Sequence, residues 1–153
     1  LLFTLLTITS YLCQGYYALG LGLHIGILPV APMGMSWFTM MIARNFGYDP
    51  MPFTYMSQLI KYGVDPSNNW HTIYLWLAND FTFIGVPFVI FIIGKVLAVT
   101  WCDTIVGKNV FAPIVFSLML IMVFYFFANN QVISFSFIPF VLFSIIYMFS
   151  RLK

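Results

Sequence analysis

The chain has 153 residues, of which 62% are hydrophobic, 20% aromatic and only 7% charged. A soluble domain carries about 25% charged residues, so this composition cannot supply a wetted globular surface, and a polytopic membrane protein is expected. The net charge of +2 gives no electrostatic footprint for nucleic acid, and two cysteines, Cys13 and Cys102, make no disulfide framework.

The chain opens in mid-hydrophobic stretch at Leu1, with no initiator Met and no signal-peptide n-region, and reads as the C-terminal part of a longer protein. Residues 1–31 are uncharged and admit two readings. One is a single long helix with Ala18, Gly22 and Gly26 as a small-residue packing face. The other, preferred because Cys13-Gln14-Gly15 and the Gly-rich run after it look like a break, is a helix ending near Leu12. An interfacial amphipathic segment from Gln14 to Leu28 would follow.

Residues 32–72 do not belong in lipid. They hold Arg44, Asp49, Lys61, Asp65 and His71 among many aromatics, and Trp and Tyr collect at membrane–water interfaces. A short helix is expected from Ser36 to Asn45, a turn over Asn45 to Pro50, and a second short helix from Phe53 to Tyr62. Asp65-Pro-Ser-Asn-Asn is another turn and leads into a helix beginning at His71 or Thr72.

Residues 73–153 are expected to hold three spanning helices, since a span needs about 20 mostly apolar residues. They run from about Ile73 to Val99, Val110 to Ala128 and Val132 to Ser150. Lys95, Lys108, Arg151 and Lys153 flank the last two on one side, whereas the turn Asn129-Asn130-Gln131 on the other is uncharged. The basic side should be cytoplasmic, which by parity puts residues 32–72 outside. Pro87 inside the first span would kink it and open a cavity beside Asp80.

Several residues are candidates for chemistry, each with a plainer alternative. Asp80 lies about two turns into a span, where an ionisable group is costly and a functional candidate by default; the alternative is an interfacial acid paired with a cation. Arg44 suits bidentate phosphate recognition, or else anchors at the interface beside Asp49. Lys61 either meets an anion or snorkels beside Tyr62. His71, at a helix start, fits a general base or a phosphate ligand, or else a capping histidine. His24, in a Gly-rich apolar stretch, reads as structural. No His, Cys, Asp or Glu pair has ligand-like helical spacing, so no metal site is expected. A phosphate loop and a nucleophile elbow are also missing.

The run from Asn68 to Gly94, Asn-Asn-Trp-His-Thr-Ile-Tyr-Leu-Trp-Leu-Ala-Asn-Asp-Phe-Thr-Phe-Ile-Gly-Val-Pro-Phe-Val-Ile-Phe-Ile-Ile-Gly, resembles the late segment of bacterial oligosaccharide repeat-unit polymerases of the Wzy type. The matching positions are Asn69, Thr72, Asp80, Phe81, Gly85 and Gly94. Thr82 stands where the family commonly has Gly, and Trp76 lies near where it often has Arg. The stretch Tyr11-Leu12 to Gly15-Tyr-Tyr-Ala-Leu19 is similar to the family's approach to its large periplasmic loop. The resemblance implies an all-α, GT-C-like transmembrane bundle in the bacterial inner membrane. It would join undecaprenyl-diphosphate-linked oligosaccharide units into O-antigen or capsular polysaccharide, with no metal or other cofactor. Membrane lipid and a chain-length regulator protein would be its partners. On that reading Arg44 and Lys61 hold the diphosphate, His71 or Asp80 is the base, and Trp37, Tyr55 and Trp70 stack on sugar rings. The alternatives are an O-antigen ligase or another lipid-carrier glycosyltransferase, whose outer loop is usually more basic, and a lipid-linked sugar transporter. A transporter would carry internal repeats and a central path of ionisable residues, and the sequence has neither.

Overall fold

The computed structural model describes residues 2–107, 109–128, 132, 134 and 136–151, and these form helices and turns with no strand. The helices are α1 (Leu2–Ile25), α2 (Trp37–Asn45), α3 (Tyr55–Leu59), α4 (Ile73–Val106), α5 (Ala112–Phe124) and α6 (Phe137–Arg151). Asn129-Asn130-Gln131, Lys108 and Lys153, on which part of the orientation argument rests, lie outside the described residues. Among the described residues one helix, α4, is long and apolar enough to cross a membrane, and α5 and α6 are shorter apolar helices packed in series against it.

The expected break in α1 does not occur: the helix runs without interruption through Cys13-Gln14-Gly15. The small residues there serve close packing. Gly15, Ala18 and Gly22 are the buried residues of α1. A Cβ at Gly15 would sit 2.2 Å from the Phe127 carbonyl oxygen, and one at Gly22 would sit 2.5 Å from Leu75 Cδ1. The small-residue face is thus Gly15-Ala18-Gly22, with Gly26 instead ending the helix at φ +87°. Most large side chains of α1 point outward and are exposed.

Residues 31–72 fold into a small unit whose helix starts are written in the sequence. Ser36 caps α2 in a reciprocal box with Thr39, and Thr54 caps α3 by accepting from the Ser57 N–H. The stretch expected as one helix from Phe53 to Tyr62 is divided. A 3-10 turn over Met51–Phe53 precedes α3, and a second over Ile60–Tyr62 follows it, closed by Gly63 at φ +77°. The Asp65 turn forms as expected, its carbonyl accepting from the N–H groups of Asn68 and Asn69.

Helix α4 starts where expected, capped by Thr72, and runs past the expected end at Val99 to Gly107 at φ +67°. It is not one straight rod. Thr82 has φ +55° and ψ 167°, and the helix restarts beyond it. Leu77 and Phe81 line the same cavity as Val89, Ile93 and Val96. In a straight helix Leu77 and Val96 would be about 28 Å apart, so the axis turns sharply at Thr82. The break is therefore not at Pro87. It lies next to Phe83, the residue whose carbonyl the Pro87 ring would crowd.

The two halves of α4 differ in environment. Ile73, Leu75, Trp76, Leu77, Ala78 and Asn79 are all buried. Beyond the break Ile84, Phe88, Phe91 and Ile92 are exposed. The first half is the core of the folded unit at one end, and the second half is apolar and largely exposed. Asp80, about two turns into α4, sits at the base of that unit.

The positive φ of Thr82 lies in a region that glycine enters freely and a β-branched residue avoids, at a cost of order 1–3 kcal/mol. Part of any gain from glycine is offset by the extra freedom it gives the unfolded chain. Thr82→Gly should therefore stabilise the protein by about 1 kcal/mol, seen as a rise in the thermal midpoint in detergent. A fall in the midpoint would mean that the Thr82 side chain contributes more than its backbone costs.

The Ile73 N–H donates to the Phe126 carbonyl, which places the turn after α5 beside the start of α4. At the opposite end Arg151 pairs with Asp103.

Candidate functional site

Asn79 and Asp80 fasten the unit to α4. The Asn79 amide accepts from the Tyr55 N–H at 2.9 Å and donates to the Gly34 carbonyl at 2.9 Å, while its backbone carbonyl accepts from the Ala31 N–H at 2.7 Å. Asp80 Oδ1 accepts from the Met33 N–H at 2.6 Å, and the N–H groups of Gly34 and Met35 also face the carboxylate. Met33 takes φ +64°, its N–H is the one donor among the described residues within hydrogen-bond distance of the carboxylate, and Asp80 Oδ2 is buried without a hydrogen bond. Among the described residues no side-chain cation pairs with Asp80: Arg44 is engaged by Asp49 and Lys61 by Gln58.

His71, the other base candidate, is fully buried in the same unit and packs edge-on against Trp76, ring centroids 6.3 Å apart. Burial lowers its pKa from 6.5 to about 4, against a hydrogen bond to the Asn69 backbone that raises it. At neutral pH it is an uncharged core residue, and the geometry gives it no surface from which to meet a substrate hydroxyl.

Tyr55 is also inside. It is 1% exposed, its hydroxyl donates to the Gly26 carbonyl at 2.9 Å and accepts from the Leu28 N–H at 3.0 Å, and its ring packs on Phe83. It ties the end of α1 to α3 and cannot stack on a sugar. Trp37 and Trp70 remain at the surface of the unit, held edge-on by Trp76 and Tyr11 respectively.

Arg44 is exposed and donates from Nε to Asp49 Oδ1 at 3.0 Å. The Met51 N–H first, and Arg44 with it, hold the Asp49 carboxyl below its usual value. The two charges close the loop after α2, which is the plainer of the two roles considered for Arg44.

The structure brings Lys61 to a different neighbour. Lys61, Gln58, Tyr62, His24 and Ile25 line a pocket of about 260 Å³ between the end of α1 and α3. Lys61 Nζ donates to Gln58 Oε1 at 2.8 Å. His24, read from sequence as structural, is exposed there. Residues 37 apart in the chain meet only because Tyr55 fastens α3 to the end of α1, and no local signal announces that meeting. A lysine and an imidazole beside an amide and a phenol can bind an oxyanion, and the pocket opens where the apolar length of α1 ends.

A second polar cluster lies at the far end of α4. Asp103 is nearly buried, its Oδ2 accepting from Tyr147 Oη at 2.6 Å and from Arg151 Nε at 2.9 Å. Asn109 donates to Ser150 Oγ at 2.7 Å close by. Sequence reading missed this group because the helix was expected to end at Val99, which left Asp103 in a loop.

No family model, curated protein or solved structure matches the chain.

Proposed function

We propose that this chain belongs to a multi-pass glycosyltransferase of the bacterial inner membrane. It polymerises undecaprenyl-diphosphate-linked oligosaccharide repeat units into O-antigen or capsular polysaccharide on the periplasmic face. In this reading α1, α5 and α6 cross the membrane beside α4 in a GT-C-like bundle. The observation that carries the reading is the Lys61–His24 pocket at the junction of the outer unit with α1. A lipid diphosphate presents its charge at that level, with its polyprenyl tail along the exposed apolar face of α1. Lys61 stabilises the negative charge that builds on the leaving diphosphate, and His24 and Tyr62 add donors. Trp37 and Trp70 offer ring faces to sugars beside the pocket.

The reading is tested by returning the full-length gene to a polymerase-null strain with matching repeat units and resolving the surface glycan on a gel. Wild type should restore a ladder. One charge-assisted hydrogen bond is worth roughly 1.5–3 kcal/mol, so Lys61→Ala should reduce polymer about tenfold or more at equal protein abundance. A full ladder from Lys61→Ala removes this pocket from the reaction, and a wild-type gene that yields only single repeat units counts against polymerisation.

A further inference from the structure

A cavity lies at the far end of α4, away from the unit of residues 31–72. It measures about 850 Å³ between α4, α5 and α6. Its walls include Val99, Val115 and Phe140, and its polar groups include Lys95, Ser144 and Arg151. Volumes of 300–1,000 Å³ with mainly apolar walls and a few convergent polar groups are typical of ligand sites.

Two of those polar groups have no hydrogen bond or ion pair among the described residues. Ser144 Oγ is buried with no hydrogen bond. Lys95 makes no ion pair among the described residues. It lies 12 residues past Phe83, about 18 Å along the apolar half of α4, where an unpaired charge is costly. Arg151 is already engaged by Asp103 through Nε, and Tyr147 donates to the same carboxylate. Two cations and one carboxylate leave a net single positive charge around the cavity, which matches one phosphodiester.

We propose that this cavity is a binding site for an anionic phospholipid of the leaflet opposite the outer unit. Lys95 and Arg151 hold the headgroup phosphate, Ser144 donates to it or to the adjoining ester, and an acyl chain lies along Val99, Val115 and Phe140. Basic pockets between membrane helices on the cytoplasmic side take anionic headgroups in this way. The proposal does not depend on the reaction carried out at the other face.

The experiment is native mass spectrometry of the intact protein released from nanodiscs of equal parts phosphatidylglycerol and phosphatidylcholine. Wild type should retain phosphatidylglycerol about tenfold over phosphatidylcholine. Lys95→Gln should abolish that preference and Lys95→Arg should keep it. Val99→Trp, which fills the cavity and leaves every charge in place, should reduce retention of both lipids. Equal retention of the two lipids by wild type would overturn the proposal. So would an undiminished phosphatidylglycerol preference in Lys95→Gln, or its loss in Lys95→Arg.

Discussion

Replacing Asn79 by leucine is expected to release the unit of residues 31–72 from α4. Leucine has the same number of side-chain heavy atoms but is bulkier and cannot hydrogen-bond, so the change removes the hydrogen bonds and crowds the site as well. It leaves the Tyr55 N–H and the Gly34 carbonyl without their partner, at a position 1% exposed where water does not substitute. An unsatisfied buried backbone group costs about 1–3 kcal/mol, so the pair should cost about 2–5 kcal/mol. Gly34 leaves no slack to reorganise, since a Cβ there would already sit 2.9 Å from Asn79 Cβ and 2.7 Å from the Ala31 carbonyl oxygen. Limited proteolysis in detergent would report the effect. Cleavage should appear within residues 26–35 and 46–54 in Asn79→Leu while the apolar half of α4 stays protected. Protection equal to wild type would mean that the remaining packing of Tyr55 and Met56 suffices to hold the unit. The comparison with Asp80→Asn is informative: asparagine still accepts from the Met33 N–H through its carbonyl, so its cost should be smaller.

That contrast also marks how far the sequence could be read. The starts of α2 and α4 fell where expected, and there Ser36 and Thr72 bond their own helix three residues on, whereas α3 was expected from Phe53 and begins at Tyr55 behind its cap Thr54. The prominence of Asp80 was legible too, but its meaning was not. A carboxylate is expected to seek a cation, whereas here the Met33 N–H, 47 residues upstream, bonds it. Glycine misled in the opposite sense at Gly15, where a residue that permits a bend in fact permits the Phe127 carbonyl to approach. Thr82 gave no warning, because a β-branched residue is an improbable place for positive φ, and the nearby Pro87 drew the expected kink to itself. Lys61 was singled out from its charge alone. Its partner in the pocket, His24, belongs to a helix that reaches it only after Tyr55 has bonded to the Gly26 carbonyl and the Leu28 N–H.

Acid should weaken the fold through His71. The folded pKa, about 4, lies below the ordinary 6.5 because burial disfavours the charged ring. The unfolded chain therefore binds the proton first. The stabilisation is complete above about pH 6.5, is lost progressively between pH 6.5 and 4, and changes no further below that range. At about 1.36 kcal/mol for each pH unit separating the two values, the loss amounts to roughly 3 kcal/mol. Asp49 and Asp65, whose carboxyls are held below the ordinary 3.8 first by backbone N–H groups, lose their contribution only at lower pH, so the windows separate. Thermal midpoints measured from pH 8 to 4 should fall in the wild type and stay nearly level in His71→Leu. The variant starts from a lower midpoint, since leucine cannot bond the Asn69 backbone. A midpoint that falls equally in both proteins would assign the acid sensitivity to another group. A level wild-type curve would mean that the ring takes up its proton within the fold. That would require the unit around Trp76 to open enough to admit water, and a His71 so reached would again be a candidate to accept a proton from a substrate hydroxyl.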